Sequence, residues 1–125
     1  MNIPKFLSID STLNSLRVTS NILPQTNFLV KNYLKSDNFS TDLKKILKKN
    51  SISLNEVQLL LINLGPGSYA GIRNVLASLK LISYIKSIKI AGFSNYDLIK
   101  ILKNNKKLKI ILFSNKKFIF QIKKL

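Results

Sequence analysis

Leu59-Leu60-Leu61-Ile62 runs with little polar interruption into Gly65-Pro66-Gly67-Ser68, and a long helical pattern follows at once. This juncture constrains the fold more than any other stretch. A short, continuous apolar run is what a strand covered on both faces requires. Gly65 and Gly67 permit conformations and close approaches denied to other residues, and Pro66 fixes φ between them. From Tyr69 to Lys86, residues Ile72, Val75, Leu76, Leu79, Ile82 and Ile85 make one broad helical stripe. Ala70, Ala77, Leu81 and Tyr84 make a second stripe beside it. One stripe suffices to pack on a sheet, so the second predicts a further cover on the helix's other side.

The turn has two readings that the residues leave open. Ser68 is placed to cap the helix, and a glycine loop opening a helix points free N–H groups and the positive dipole end outward. That makes an anion or phosphate site, or merely a tight strand-to-helix turn. The P-loop pattern G-x-x-x-x-G-K-[ST] is absent, because Ala70 and Ile72 stand where its second glycine would fall. Gly65-x-Gly67-x-x-Ala70 satisfies the dinucleotide fingerprint in form, but Lys86 and Lys89 occupy the neighbourhood where its acidic ribose partner belongs.

The flanking sequence fills in a mixed α/β order. Phe6-Leu7-Ser8-Ile9 reads as a strand ending at Asp10, and Leu16-Arg17-Val18-Thr19 as its hairpin partner across a turn-rich stretch. A third strand is expected at 27–30, after Pro24. Ser36 and Asp37 start a helix carrying Phe39, Leu43, Ile46 and Leu47 on one face. Lys44, Lys45, Lys48 and Lys49 suit its C-terminal dipole. Ile88-Lys89-Ile90-Ala91 is the next strand, and Ser94 caps a short helix reaching Leu102, with Asp97 in the favourable first turn. Residues 108–113 and 118–122 form a terminal hairpin around Ser114-Asn115-Lys116-Lys117.

Composition narrows the chemistry. With no His and no Cys, the chain lacks the commonest general base, the commonest metal-binding nitrogen and any thiol nucleophile. Five acidic residues against 21 basic ones, net +16, leave little for a carboxylate metal centre. Such a charge favours polyanionic partners. Arg17 and Arg73 are nevertheless the only arginines, and the excess of Lys, Asn and Ile is equally what A+T-rich coding produces. No targeting segment stands at the N-terminus, and the apolar runs fall far short of the ~20 residues that span a bilayer, so a cytoplasmic protein without membrane contact is expected.

Leu61-Ile62-Asn63-Leu64-Gly65-Pro66-Gly67-Ser68-Tyr69-Ala70-Gly71-Ile72-Arg73 resembles the signature of the TsaB family, bacterial proteins of tRNA threonylcarbamoyladenosine biosynthesis. Three further stretches match in order: Phe6-Leu7-Ser8-Ile9-Asp10-Ser11-Thr12, Ser53-Leu54-Asn55-Glu56-Val57 and Ala91-Gly92-Phe93-Ser94-Asn95-Tyr96-Asp97-Leu98. The resemblance implies the N-terminal lobe of the actin-like ATPase, ribonuclease H-like fold: a mixed sheet flanked by helices over residues 1–105. Residues 106–125 would be a remnant hairpin of a shortened second lobe. It further implies a non-catalytic subunit that pairs with the TsaD transferase, is joined by a TsaE-like ATPase, and also forms homodimers, with tRNA contacted indirectly or weakly. Its partner surface would involve Tyr69, Ala70, Ala77, Leu81 and Tyr84.

The chain departs from the family where the second lobe begins. Phe113-Ser114-Asn115 and Phe118 replace the family's Asp-Ala-Arg and Glu, and Lys35-Ser36-Asp37 replaces its His-Ser-Glu. A nucleotide cleft would lack one wall. Asp10, Gly65, Gly67, Ser68 and Arg73 are the anion- or nucleotide-loop candidates; no catalytic residue, metal ligand or cofactor is assigned. Asp10 is either a turn cap or the metal-holding carboxylate of active superfamily members, and alone it is a poor Mg²⁺ site. The fork of Arg73 suits a carboxylate or phosphate, or a surface ion pair. Two other functions stay open, a degenerate ATP-binding phosphotransferase of the same superfamily and a small basic RNA-binding module acting alone.

Overall fold

The computed structural model describes residues 3–13, 15–22, 27–32, 39–103, 108–109, 113–114, 118–119 and 123–124. Three antiparallel strands open the chain: β1 (Phe6–Leu13), β2 (Ser15–Ser20) and β3 (Asn27–Asn32). Helix α1 (Phe39–Lys49) leads to β4 (Leu59–Asn63), helix α2 (Tyr69–Lys86) to β5 (Lys89–Phe93), and α3 (Asn95–Lys103) follows. The sheet order is β3-β2-β1-β4-β5, with β4 parallel to β1 and β5 parallel to β4. This is the mixed sheet flanked by helices that the sequence predicts.

Registers place Leu7 and Ile9 beside Leu60 and Ile62, and Val18 beside Ile9. With Leu16 these side chains form one face of the sheet and are essentially inaccessible. Phe39, Leu43, Ile46 and Leu47 of α1 and Val75 and Leu79 of α2 close over them in a single apolar cluster. Full burial of each such side chain is worth about 2 kcal/mol of transfer free energy before entropy is counted. The α1 positions are the four read from helical spacing; the expected start at Ser36 and Asp37 lies outside the described residues.

Three expectations need correction. The first strand does not end at Asp10. It continues to Leu13 through a register shift between Asp10 and Leu13, and consecutive Ser11 and Thr12 are both buried, which strict alternation would forbid. The reason is local: Asp10 Oδ1 accepts from Thr12 N at 2.9 Å and from Thr12 Oγ1 at 2.7 Å, folding a turn-like link into the strand. Second, β4 is not fully covered on both faces. Leu60 and Ile62 are buried beneath the helices, but Leu59 and Leu61 on the opposite face are half-exposed. Third, Ile85 of the first α2 stripe is exposed. It lies in the last turn, beyond the sheet contacts that bury Val75 and Leu79.

The ends of the helices are explained by their caps. Ser68 accepts from Gly71 N at the start of α2, and Ser87 ends it in the left-handed conformation. At α3, Ser94 Oγ accepts from Asp97 N while Asp97 Oδ2 accepts from Ser94 N at 2.8 Å, a reciprocal capping box with Asp in the usual Glu place. In the tail, β6 (Leu108–Lys109) pairs with β9 (Lys123–Lys124) and β7 (Phe113–Ser114) with β8 (Phe118–Ile119). Both ladders are centred on position 116, the hairpin arrangement read from the sequence. The expected division at 105/106 falls outside the described residues.

Candidate functional site

Parallel strands β1, β4 and β5 bring their carboxyl ends together, the usual place for a site in an open α/β sheet. Each contributes one polar side chain: Asp10 from β1, Asn63 from the last position of β4, and Asn95 just beyond β5. Asn63 is completely buried and Asn95 is 5% exposed. Asn63 Nδ2 donates to Asp10 Oδ2 at 3.1 Å and to Asn95 Oδ1 at 2.7 Å. Asn63 Oδ1 accepts from Gly65 N at 2.9 Å. Asn95 Nδ2 donates to Pro66 O at 2.8 Å, and the Asn95 backbone N–H to Gly65 O at 2.9 Å. The two asparagines thus clamp the glycine turn from both sides and tie it to Asp10.

The turn itself is built for close approach. Gly65 sits at φ +95°, in the region where a side chain is strained. The Gly65–Pro66 peptide is cis. A Cβ on Gly67 would lie 2.5 Å from both Thr12 Cβ and Thr12 O, so the loop backbone rests directly on the end of β1. Ser68 N donates to Thr12 O at 3.0 Å across that contact. The amides of Gly65, Ser68 and Gly71 are all engaged within the protein. These three amides are therefore committed within the protein rather than offered to a ligand.

Of the five loop candidates, the structure brings four together. Asp10, Gly65, Gly67 and Ser68 share this bonded cluster, while Arg73 is exposed one turn into α2 and no described hydrogen bond links it to the others. The Asp10 carboxylate accepts three hydrogen bonds, a geometry that fits a structural tie between strand and loop. No cluster of three His, Cys, Asp or Glu able to hold a metal exists among the described residues. Asn63 and Asn95 are the residues that sequence reasoning missed. Their signal was present: an amide at the end of a continuous apolar strand, and a second one where the next strand gives way to a helix.

The five partner-surface candidates lie along α2. Tyr69 is 78% exposed, Leu81 59% and Tyr84 86%, and Ala70 and Ala77 are exposed between them. Helical spacing puts these residues and Arg73 on the side of α2 away from the buried Val75 and Leu79. No helix among the described residues is long and apolar enough to cross a membrane.

No protein-family model matches the sequence, and no curated protein matches it. The fold does find counterparts among solved structures. One is a Pseudomonas aeruginosa protein with similarity to peptidase YeaZ (TM-score 0.69, 12% identity, over 86% of this chain and 51% of that one). Another is YeaZ from the same organism (TM-score 0.69, 13% identity, over 86% and 52%). A third is RuvC from T. thermophilus, solved with a Holliday junction substrate (TM-score 0.53, 7% identity, over 80% and 70%). The chain spans about half the length of the two Pseudomonas structures. At these identities the likeness is one of fold: the α/β arrangement of the YeaZ and RuvC structures, the ribonuclease H-like architecture.

Proposed function

We propose that this chain is a TsaB-type, non-catalytic subunit in the N6-threonylcarbamoyladenosine modification of tRNA, and that it docks on a TsaD-type transferase through the exposed side of α2. The observation that carries the reading is the exposed stripe of Tyr69, Leu81 and Tyr84 on a fold shared with YeaZ, the TsaB-type protein of Pseudomonas. The four ordered sequence matches support it independently. Large aromatic and aliphatic side chains held in the open on a well-capped, rigid helix are suited to burial in an interface, where such residues act as anchors. The internally engaged Asp10 cluster fits a scaffolding role. A TsaE-like ATPase would join the pair, a second copy of the chain would compete for the same stripe, and tRNA would be met chiefly through the partner.

Co-purification with the TsaD homologue of the same organism tests the pairing. Leu81→Ser with Tyr84→Ser should release the partner while leaving the melting temperature of the isolated chain unchanged. Mass spectrometry of tRNA nucleosides in a deletion strain tests the pathway, and undiminished threonylcarbamoyladenosine there would overturn the assignment. Turnover of Mg-ATP by the isolated chain would instead favour a phosphotransferase.

A further inference from the structure

The amino ends of the same parallel strands border an open cavity of about 940 Å³, at the opposite end of the strands from the Asp10 cluster. Leu59 and Asn63 bound β4, so the two regions stand roughly 13 Å apart along that strand. Two segments distant in sequence supply lysines to the cavity's lining: Lys5 before β1, and Lys86 and Lys89 on either side of the short link from α2 to β5. No carboxylate lines it among the described residues. Glu56 is the nearest acid in sequence, between the lining residues Asn55 and Val57, and it is exposed. No ion pair neutralises these three lysines among the described residues. Three cations border one concavity with no opposite charge among its described lining, an electrostatic setting that suits an anion.

The rest of the lining narrows the class of anion. Val57 and Ile88 are buried and give the cavity an apolar base. Asn55 and Gln58 add side-chain amides. Gln58 Oε1 accepts from Lys5 N at 2.9 Å, which fixes the orientation of its amide and leaves its Nε2 donor available. Cations for phosphate, an apolar surface for a ring and oriented amides for a base edge are together what a nucleotide unit requires. The volume lies within the range of small-molecule pockets. The carbonyl end of α2 opposes an anion here, so binding must come from the lysines. From this lining we infer that the cavity binds a phosphate-bearing nucleotide unit, either free or as part of a single RNA strand. The inference rests on these residues alone and stands apart from the pairing with a TsaD-type partner.

Fluorescence anisotropy of a short, labelled single-stranded RNA titrated with the full chain tests it. Lys86→Glu with Lys89→Glu should weaken binding about tenfold or more, and should lower the log–log salt slope by about 1.4, since each single-strand phosphate contact contributes about 0.7. The control is Lys44→Glu with Lys45→Glu, an equal charge change on the exposed face of α1, which should cost less than about threefold. Should the reversal lower the melting temperature, Lys86→Gln with Lys89→Gln replaces it. Adenosine 5′-monophosphate competing with the RNA identifies a free nucleotide as ligand, whereas RNA binding lost in the pocket variant without such competition identifies the strand. Equal losses from the pocket and α1 variants, or no saturable binding by the wild-type chain, would overturn the inference.

Discussion

The two ends of the parallel strands solve opposite problems with the same backbone. At the carboxyl end, Asp10, Asn63 and Asn95 meet one another, and the polar atoms they bring beneath the glycine turn find partners inside the protein. At the amino end, Lys5, Lys86 and Lys89 line a cavity that has no counter-charge among its described lining residues. The glycine-rich end, which by pattern invites a ligand, commits much of its hydrogen bonding to the protein's own groups. The end with no recognisable motif offers the open, one-signed surface. A loop's composition indicates what the backbone can approach. What it does approach depends on the groups the neighbouring strands supply.

The contrast breaks most severely at Gly67. Gly67→Val sets a side chain against the Thr12 backbone and should destabilise the fold by about 3 kcal/mol, read from denaturant melts. Gly71→Ala should be much milder. Its Cβ would meet Ser68 Oγ at 3.2 Å and Ser11 O at 3.3 Å, and the gain in helix propensity, about 1 kcal/mol, offsets part of that crowding.

Asn63→Ala comes next. It leaves Asn95 Oδ1, Asp10 Oδ2 and Gly65 N without their shared partner, which should cost about 2 kcal/mol and expose the turn to proteolysis. Lys89→Gln, on the open end, should shift stability by no more than about 0.5 kcal/mol, because no described bond depends on it. A large loss there would show that the amino end too is internally committed.

The smallest effect is a pH dependence at α3. The Ser94 backbone N–H, followed by its hydroxyl, holds the Asp97 carboxyl below its ordinary value of 3.8. Because the folded pKa is depressed, the cap's contribution is fully present above that ordinary value. It is lost as pH falls from there through the folded pKa. Helix content near α3 followed by hydrogen exchange should therefore decline only in strong acid, and Asp97→Asn should remove that acid-dependent step.

Much of the architecture was legible in single residues. Phe39, Leu43, Ile46 and Leu47 face the core as their spacing requires, α2 begins and ends at Tyr69 and Lys86, and Ser68 and Ser94 cap as their chemistry suggests. These features are settled within a few turns of chain, where periodicity and capping operate. Asp-Ser-Thr composition reads as a turn, which puts Asp10 at a strand's end. The bulge instead absorbs the turn-like hydrogen bonds and carries the strand on to Leu13. Asn63 stands within the glycine motif but has no role readable there, since the side chains it bonds lie 53 and 32 positions away.

The sequence by itself determined the order of strands and helices, the helix-facing core and the position of a sharp turn before α2. All three follow from hydrophobic period and backbone permission, which are local properties. Only the tertiary structure decided that the turn rests on Thr12, that two asparagines and Asp10 occupy one another, and that Lys5 shares a cavity with Lys86 and Lys89. The physical reason is that hydrogen-bond partners and like-charge neighbours are set by which strands lie side by side. In a β3-β2-β1-β4-β5 sheet, those neighbours come from segments well separated along the chain.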